Sequence, residues 1–298
     1  MEYKWRVKKS ERGITLENFI YKNLGDWSHK QVKTAIDNKR AFVNGQNVFI
    51  SKWNLKPDAV VLFVPSDKDQ ITKTNSRYRF IDVLFEDTYI LATNKPAHVD
   101  FESYVKTVQD YLVRQNRIKS YPYVGQMHRL DKETTGVMLF TKKKMANSLA
   151  DQFRDHSLKK YYLALVDGRL KRENGVIKKS VEKGQFESGK KVKVSDSLDS
   201  KKATTLYTVV ERYRSATLLK IEIKTGRTHQ IRVHLSDMGF PVVGDKLYGL
   251  QGGIPFRRHA LHAERIDFKH PVTSKPMRVT APVPPDMQRL IDEFRESA

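Results

Sequence analysis

Hydrophobic positions change period along the chain, and each change marks an element. Between residues 13 and 64, Leu16, Phe19, Ile20 and Leu24 recur at helical spacing, which predicts an amphipathic helix. Trp27-Ser28 interrupts the stripe. Ser28 is suited to cap a second helix in which Val32, Ala35 and Ile36 face inward while Lys30, Lys33 and Lys39 lie off the stripe. Ala41-Phe42-Val43, Asn44-Gly45 and Val48-Phe49-Ile50 then read as a hairpin, because both positions of a two-residue turn take positive φ and Asn-Gly tolerates this. Residues 60–64 read as a closing strand.

Residues 66–77 are polar and nearly free of apolar side chains, so they read as a linker with a domain boundary inside it. The expected division is a small unit over 1–66, a linker over 67–77 and a larger domain over 78–298. In the larger domain, strand patterns fall at 81–85, 90–93, 136–141, 161–166, 204–212, 216–223 and 260–268. Helical patterns fall at 104–117, 144–156, 228–238 and 286–296. Many short strands mixed with helices predict an α+β domain rather than a doubly wound parallel sheet. The segment 171–202 is polar and rich in Lys and Ser; it is either a solvated hairpin or long loop, or a phosphate-contacting arm.

Charge narrows the partners. The 298 residues carry 55 Lys plus Arg against 34 Asp plus Glu, a formal net charge of +21. A field of that sign concentrates polyanions, nucleic acid first and an anionic membrane surface second. The membrane is the weaker candidate, since no apolar run approaches the roughly 18 residues of a spanning helix. The N-terminal MEYKWRVKKSERG has no apolar core for a secretory signal. The absence of cysteine excludes disulfides, thiolate catalysis and Cys-ligated zinc, and is compatible with a reducing cytoplasm.

Several apparent motifs fail on context. Residues 184–191, GQFESGKK, lack the Ser or Thr after the lysine and the flanking strand and helix of a phosphate-binding loop. His128-Arg129 with Asp131 has no accompanying kinase signatures. His229, His234, His259 and His262 show no metal-ligand spacing and no acidic partner of the HExxH type, so they read as structural or RNA-contacting residues, with no metal and no cofactor expected.

Two segments carry chemistry. HRLDKETTGVMLFTK, residues 128–142, sets Asp131 at the mouth of an apolar strand among cations, as an ion-pair partner or as a reacting group. In KTGRTHQIRVHL, residues 224–235, Gly226 allows a sharp turn and Thr228 is placed to cap a helix. Ile231 and Leu235 face the core, and Arg232 is free to point into a cleft. Arg227 and Arg232 have the alternative of pairing with surface acids. An arginine beside a half-buried aspartate favours the ionised form, which a nucleophilic carboxylate needs.

HRLDKETTGVMLFTK resembles the central motif of the RluA-like RNA pseudouridine synthases. Residues 84–96, the Lys160-Tyr161-Tyr162-Leu163-Ala164 strand, GRTHQIRVHL and His259-Ala260-Leu261-His262-Ala263 with His270-Pro271 resemble further motifs in the same order, over about residues 80–282. Residues 1–66 resemble the RNA-binding module of ribosomal protein S-four. The resemblance implies a mixed, mainly antiparallel sheet with flanking helices and a central cleft. It implies an isomerase acting on uridine in ribosomal or transfer RNA, in the cytoplasm and without cofactor, with a monomer as the default state.

The resemblance implies that Asp131 is the catalytic aspartate, that Tyr162 stacks on the base and shares in proton transfer, and that Arg232 orients the aspartate with both arms of its fork. It also implies that Leu261 lines the base pocket. Arg129, His128, Arg227, Lys30, Lys33, Lys39 and Arg40 contact RNA, Arg129 also being suited to fill the gap left by an extruded base. Whether Asp131 attacks the sugar, stabilises its departure or adds to the ring stays open. Two departures stand out: His98-Val99-Asp100 replaces a small-residue turn, and Lys39-Arg40 replaces a glycine. The competing classes are a non-catalytic RNA-binding or ribosome-assembly protein and a hydrolase acting on free nucleoside.

Overall fold

The computed structural model describes residues 2–24, 27, 29–64, 81–116, 123–143, 147–183 and 192–297. It divides into two compact units, Met1–Arg79 and Phe80–Ala298. The expected linker at 67–77, the cap at Ser28 and the loop at 184–191 lie outside the described residues.

In the first unit, helices α1 (Leu16–Leu24) and α2 (His29–Asp37) accompany a four-stranded antiparallel sheet. Its strands are β1 (Tyr3–Arg6), β2 (Ala41–Val43), β3 (Gln46–Asn47) and β4 (Val60–Phe63), in the order β1-β4-β2-β3. The helical stripes meet the sheet as their spacing implies: Leu16, Phe19, Ile20, Val32, Ala35, Ile36, Val61 and Phe63 form one core. Strand β1 is an addition to the elements expected. Its YKWR alternates half-buried and exposed positions over only four residues, too short a signal among flanking charges.

The Asn44-Gly45 turn forms with φ of 50° and 81°. The returning strand is Gln46–Asn47, however, and not 48–50. With β2 only three residues long, the ladder is exhausted at Val48, whose N–H reaches Ala41 O, and Phe49 and Ile50 are left exposed. Lys39, where a glycine was expected, takes φ 61° before β2.

The second unit is built on a ten-stranded sheet. Its outer strands include β5 (Asp82–Glu86), β6 (Ile90–Lys95), β7 (Gly125–Gln126) and β16 (Pro276–Thr280), with β7 beside strand Thr135–Thr141 and β16 beside strand Leu261–Lys269; the long path runs from Asn174–Lys178 through Thr204–Arg212, Ala216–Ile223, Lys159–Asp167, Leu261–Lys269 and Thr135–Thr141 to β6 and β5. The strands that position the site are β8 (Thr135–Thr141), β9 (Lys159–Asp167), β10 (Asn174–Lys178), β13 (Thr204–Arg212), β14 (Ala216–Ile223) and β15 (Leu261–Lys269). All pairings are antiparallel except β15 with β8, which meet over two registered pairs, His262 with Thr135 and Ala263 with Gly136. At that seam Gly136 has φ 113°, and a Cβ there would lie 2.2 Å from Ala263 O. The backbones approach too closely for any other residue. Strands β11 (Val181–Lys183) and β12 (Val192–Val194) form a separate ribbon within the lysine-rich segment, so its described part is hairpin rather than loop.

Helices α3 (Phe101–Asn116), α4 (Asn147–Arg154), α5 (Gln230–Asp237) and α6 (Pro285–Glu296) flank the sheet. Helix α3 starts three residues before its periodic stripe. Asp100 caps it by accepting from Ser103 N at 2.9 Å and Ser103 Oγ at 2.8 Å. The His98-Val99-Asp100 departure is therefore a left-handed residue, His98 at φ 65°, followed by a helix cap. Helix α5 starts at Gln230 rather than at Thr228. His229 stands at its N-cap with φ 53°, and Thr228 makes no cap. Gln230 instead gathers the turn, accepting from Thr225 Oγ1 at 2.7 Å and Arg227 N at 3.1 Å.

Candidate active site

The parallel seam brings three neighbouring strands to one hollow. Asp131 precedes β8, Tyr162 lies on β9 and Leu261 opens β15, while α5 supplies Arg232 across from them. The resulting cleft has a volume of about 540 Å³ and is also lined by Arg129, His128, Lys160, Arg227 and His229. The expected residues Asp131, Tyr162, Arg232, Leu261, Arg129, His128 and Arg227 thus meet in one place. Lys33, Lys39 and Arg40 are exposed on the first unit, and Lys30 is on α2 there.

Asp131 sits in a turn, Thr134 N donating to its carbonyl at 3.1 Å, and its side chain is 27% exposed. Two buried cations hold that turn. Lys95 Nζ donates to Lys132 O at 3.1 Å, Thr134 O at 3.0 Å and Pro96 O at 2.9 Å. Arg258 Nη1 donates to Glu133 O at 3.2 Å, and the same guanidinium pairs with Asp286 through Nε at 2.7 Å and Nη2 at 3.0 Å. Thr134 Oγ1 is bonded to His259 Nε2 at 2.7 Å. Burial pulls the Lys95 ammonium down to about 7, with the charge of Asp131 acting the other way. Its three carbonyl acceptors require all three N–H donors of the charged form.

Arg232 does not present both arms to Asp131, as expected. Nη1 alone reaches Asp131 Oδ2, at 2.9 Å. The fork is taken by Asp245, which accepts from Nε at 2.6 Å and Nη2 at 2.8 Å. The side chain of Asp245 is fully buried, and its Oδ1 also accepts from Leu247 N at 2.9 Å and Tyr248 N at 3.1 Å. Burial opposes ionisation of Asp245, but the Arg232 bonds outweigh it and hold the carboxyl below its ordinary value. The pairing with surface acids considered for Arg232 is absent; both its partners are inside the domain. One guanidinium therefore spans two carboxylates, one structural and one facing the cleft.

Tyr162 is 7% exposed, and burial, then the charge of Asp131, raise its phenol. Tyr161 points to the other face, where Arg265 stacks over its ring at 3.9 Å. Lys160 lies at the cleft edge with its ammonium pushed down to about 8 by burial and by Arg227. Arg129 is exposed, with its guanidinium 5.4 Å from the Phe101 ring centre. Arg227 Nε donates to Lys202 O at 3.3 Å.

His128, which also lines the cleft, has protein partners. It stacks on Phe153 and accepts from Leu139 N at 3.0 Å, and burial, then Lys160, push its imidazole down to about 3. With Nε2 accepting, the ring is neutral and anchors the Asp131 loop.

The histidines weighed as metal ligands have protein partners: besides His259 with Thr134, His229 pairs with Tyr248 OH, His234 with Thr205 and Lys179 O, and His262 with Thr135 and Ala281 O. His229 Nε2 also lies 3.8 Å from Asp131 Oδ2. Among the described residues no group of three or more His, Asp or Glu is placed to hold a metal. Asp245, Lys95 and Arg258 were missed as site residues. Gly244-Asp245 after Val242-Val243 reads as an ordinary turn, and the chain gives no hint that its carboxylate meets Arg232.

A family described as RNA pseudouridylate synthase matches residues 89–237. An uncharacterized RNA pseudouridine synthase, YlyB of Bacillus subtilis, is 30% identical over 300 residues, covering 97% of this chain and 96% of that protein. Ribosomal large subunit pseudouridine synthase D of Xanthomonas campestris is 35% identical over 237 residues, 73% of this chain and 70% of that one. The solved human RNA pseudouridylate synthase domain containing 4 shares the fold, with a TM-score of 0.60 at 24% identity, over 72% of this chain and 93% of that one.

Proposed function

The chain belongs to the RNA pseudouridylate synthase family, and from that premise we propose that Asp131 is its catalytic carboxylate and that its substrate is structured large-subunit ribosomal RNA. It is an isomerase that makes pseudouridine in RNA. The observation that carries the assignment of Asp131 is its half-buried carboxylate at the cleft wall, held at 2.9 Å by Arg232 and facing the same hollow as Tyr162 and Leu261. The choice of RNA rests on the relatives named as ribosomal large subunit synthases. It also fits a cytoplasmic protein; among the described residues no helix is long and apolar enough to cross a membrane.

The reaction breaks the bond from uracil nitrogen to the ribose, turns the base and joins carbon 5 to the sugar; the carbon-5 proton leaves and the freed nitrogen gains one. Oxidation state is unchanged, so no redox cofactor is required. Asp131 is oriented through Arg232, and serves the anomeric carbon or the ring. Tyr162, a neutral phenol in its buried setting, stacks on the base against Leu261. Arg129, exposed at the rim, takes the place of the extruded base, which costs a few kcal/mol to unstack. Arg227 and Lys160 meet phosphates. In the first unit the exposed Lys33, Lys39 and Arg40 contact RNA on a module like that of ribosomal protein S-four; the side chain of Lys30, expected beside them, lies outside the described part of the structure.

The test is release of tritium from carbon 5 of uridine in large-subunit ribosomal RNA, with transfer RNA as a parallel pool. Wild type is expected to release tritium from the ribosomal pool, and Asp131→Asn to release none while melting and binding RNA normally. Equal release by both proteins would remove Asp131 from its role.

A further inference from the structure

A second hollow is larger than the cleft. It is a groove of about 890 Å³ between β10, the loop after β9 and the segment following α5. Its floor is apolar, with Ile177, Tyr207 and Phe240. Its rim carries Arg169, Lys171, Arg172 and Lys178, all exposed. Among the described residues none of these four has an ion-pair partner, whereas nearby Lys179 is held by Asp237 and the adjacent Glu173 is held by Arg212. A cationic rim left unneutralised, around a floor too apolar for water to favour, suits an anion with flat hydrophobic parts.

Strand register relates the groove to the cleft. Tyr162 pairs with Ile221, Ile221 with Tyr207, and Tyr207 with Gly175. Directly paired residues share a face, so the groove and the stacking tyrosine lie on the same side of the sheet. Helix α5 lies on that side too, since Thr205, two residues before Tyr207, bonds to His234 and Gln230. Gly175 is part of the construction: a Cβ there would lie 2.6 Å from Tyr207 OH, so only glycine leaves the ring its place. Three strand spacings separate Tyr162 from Gly175, about 14 Å. A stacked strand rises about 3.4 Å per nucleotide, so a strand passing around α5 spans that distance in at least about four nucleotides.

We propose that this groove is a second RNA subsite, which binds the substrate's phosphodiester backbone at least about four nucleotides from the target uridine, across helix α5 from the cleft. It rests on the proposed function in that the strand leaving the cleft is the one captured. The apolar floor takes a sugar or base, and the four cations take successive phosphates.

The experiment compares full-length wild type with Lys171→Ala/Arg172→Ala/Lys178→Ala on large-subunit ribosomal RNA fragments, by anisotropy over a salt series and by single-turnover tritium release. A second triple variant, Lys269→Ala/Lys275→Ala/Arg289→Ala, removes the same charge from exposed positions outside the groove. The groove variant is expected to lose about 0.7 to 0.9 in the slope of log affinity against log salt for each phosphate contact removed, and roughly tenfold or more in affinity. Its rate at saturating RNA should hold within about twofold, because the reacting groups are untouched. Hydroxyl-radical protection should disappear at a patch at least about four nucleotides from the target. Equal losses in both variants would reduce the groove to a share of the general field, and unchanged binding would make it a site for something other than RNA; either overturns the proposal. An inactive wild type would count against the catalytic assignment instead, and the binding comparison would still decide the groove.

Discussion

Replacing Asp245 by Asn should disable the enzyme although Asp245 does not face the cleft. The substitution keeps the shape and removes one charge. Leu247 N and Tyr248 N both donate to Oδ1, so the amide oxygen of an asparagine must take that position. Its NH₂ then falls where Oδ2 was, 2.6 Å from Arg232 Nε, and two donors face each other. The guanidinium has to move, and with it the single bond that holds Asp131 at 2.9 Å. A displacement of about 1 Å at a reacting group costs on the order of 10²-fold in rate, or about 2.7 kcal/mol of barrier. Stability should fall less than the roughly 3–5 kcal/mol of a stranded buried charge, because Asp131 still neutralises Arg232. A loss of about 1.5–3 kcal/mol, the worth of a charged hydrogen bond, is expected. Single-turnover tritium release measures the rate, with RNA affinity and thermal melting as controls. A folded Asp245→Asn protein with a rate within about threefold of wild type would refute the idea that Asp245 sets the position of Arg232 and Asp131.

Two further outcomes follow from the buried lysines. Lys160 is depressed to about 8, so it is charged in the free enzyme below that pH and neutral above it. A bound phosphate favours the charged form, so RNA affinity should decline above about pH 8 by up to tenfold per unit, and Lys160→Arg, which stays charged, should flatten the profile; an unchanged profile in the variant would remove Lys160 from RNA contact. Lys95→Met should cut the rate at least about tenfold with little change in RNA affinity, since it leaves the carbonyls of the Asp131 turn without their donor at about 1–3 kcal/mol each. A wild-type rate in that variant would show that the turn holds without Lys95.

How much of this was legible in the chain depends on the range of the interactions involved. Period-3.6 and period-2 patterns located α1, α2 and most strands of the large sheet, because each such element buries one face whatever its partner. The Asn44-Gly45 turn was equally local. Local signals failed where termini depend on neighbours. Strand β3 stops at Asn47 because β2 offers no further partner, and α5 starts at Gln230 because that side chain, not Thr228, finds the turn's donors.

The sequence by itself carried the resemblance of the segments around Asp131, Tyr162 and Arg232 to motifs of one family, and a net charge of +21 that suits a polyanionic partner. Only the tertiary structure decided which carboxylate receives the fork of Arg232, that Lys95 and Arg258 hold the Asp131 turn, and that His128 is a neutral anchor. These are contacts between residues far apart in the chain, such as Arg232 with Asp131 or Arg258 with Glu133. Their geometry comes from strand order and register at the β15–β8 seam. No local pattern encodes which buried donor will meet which buried acceptor there, since many pairings would satisfy the same residues and packing selects one.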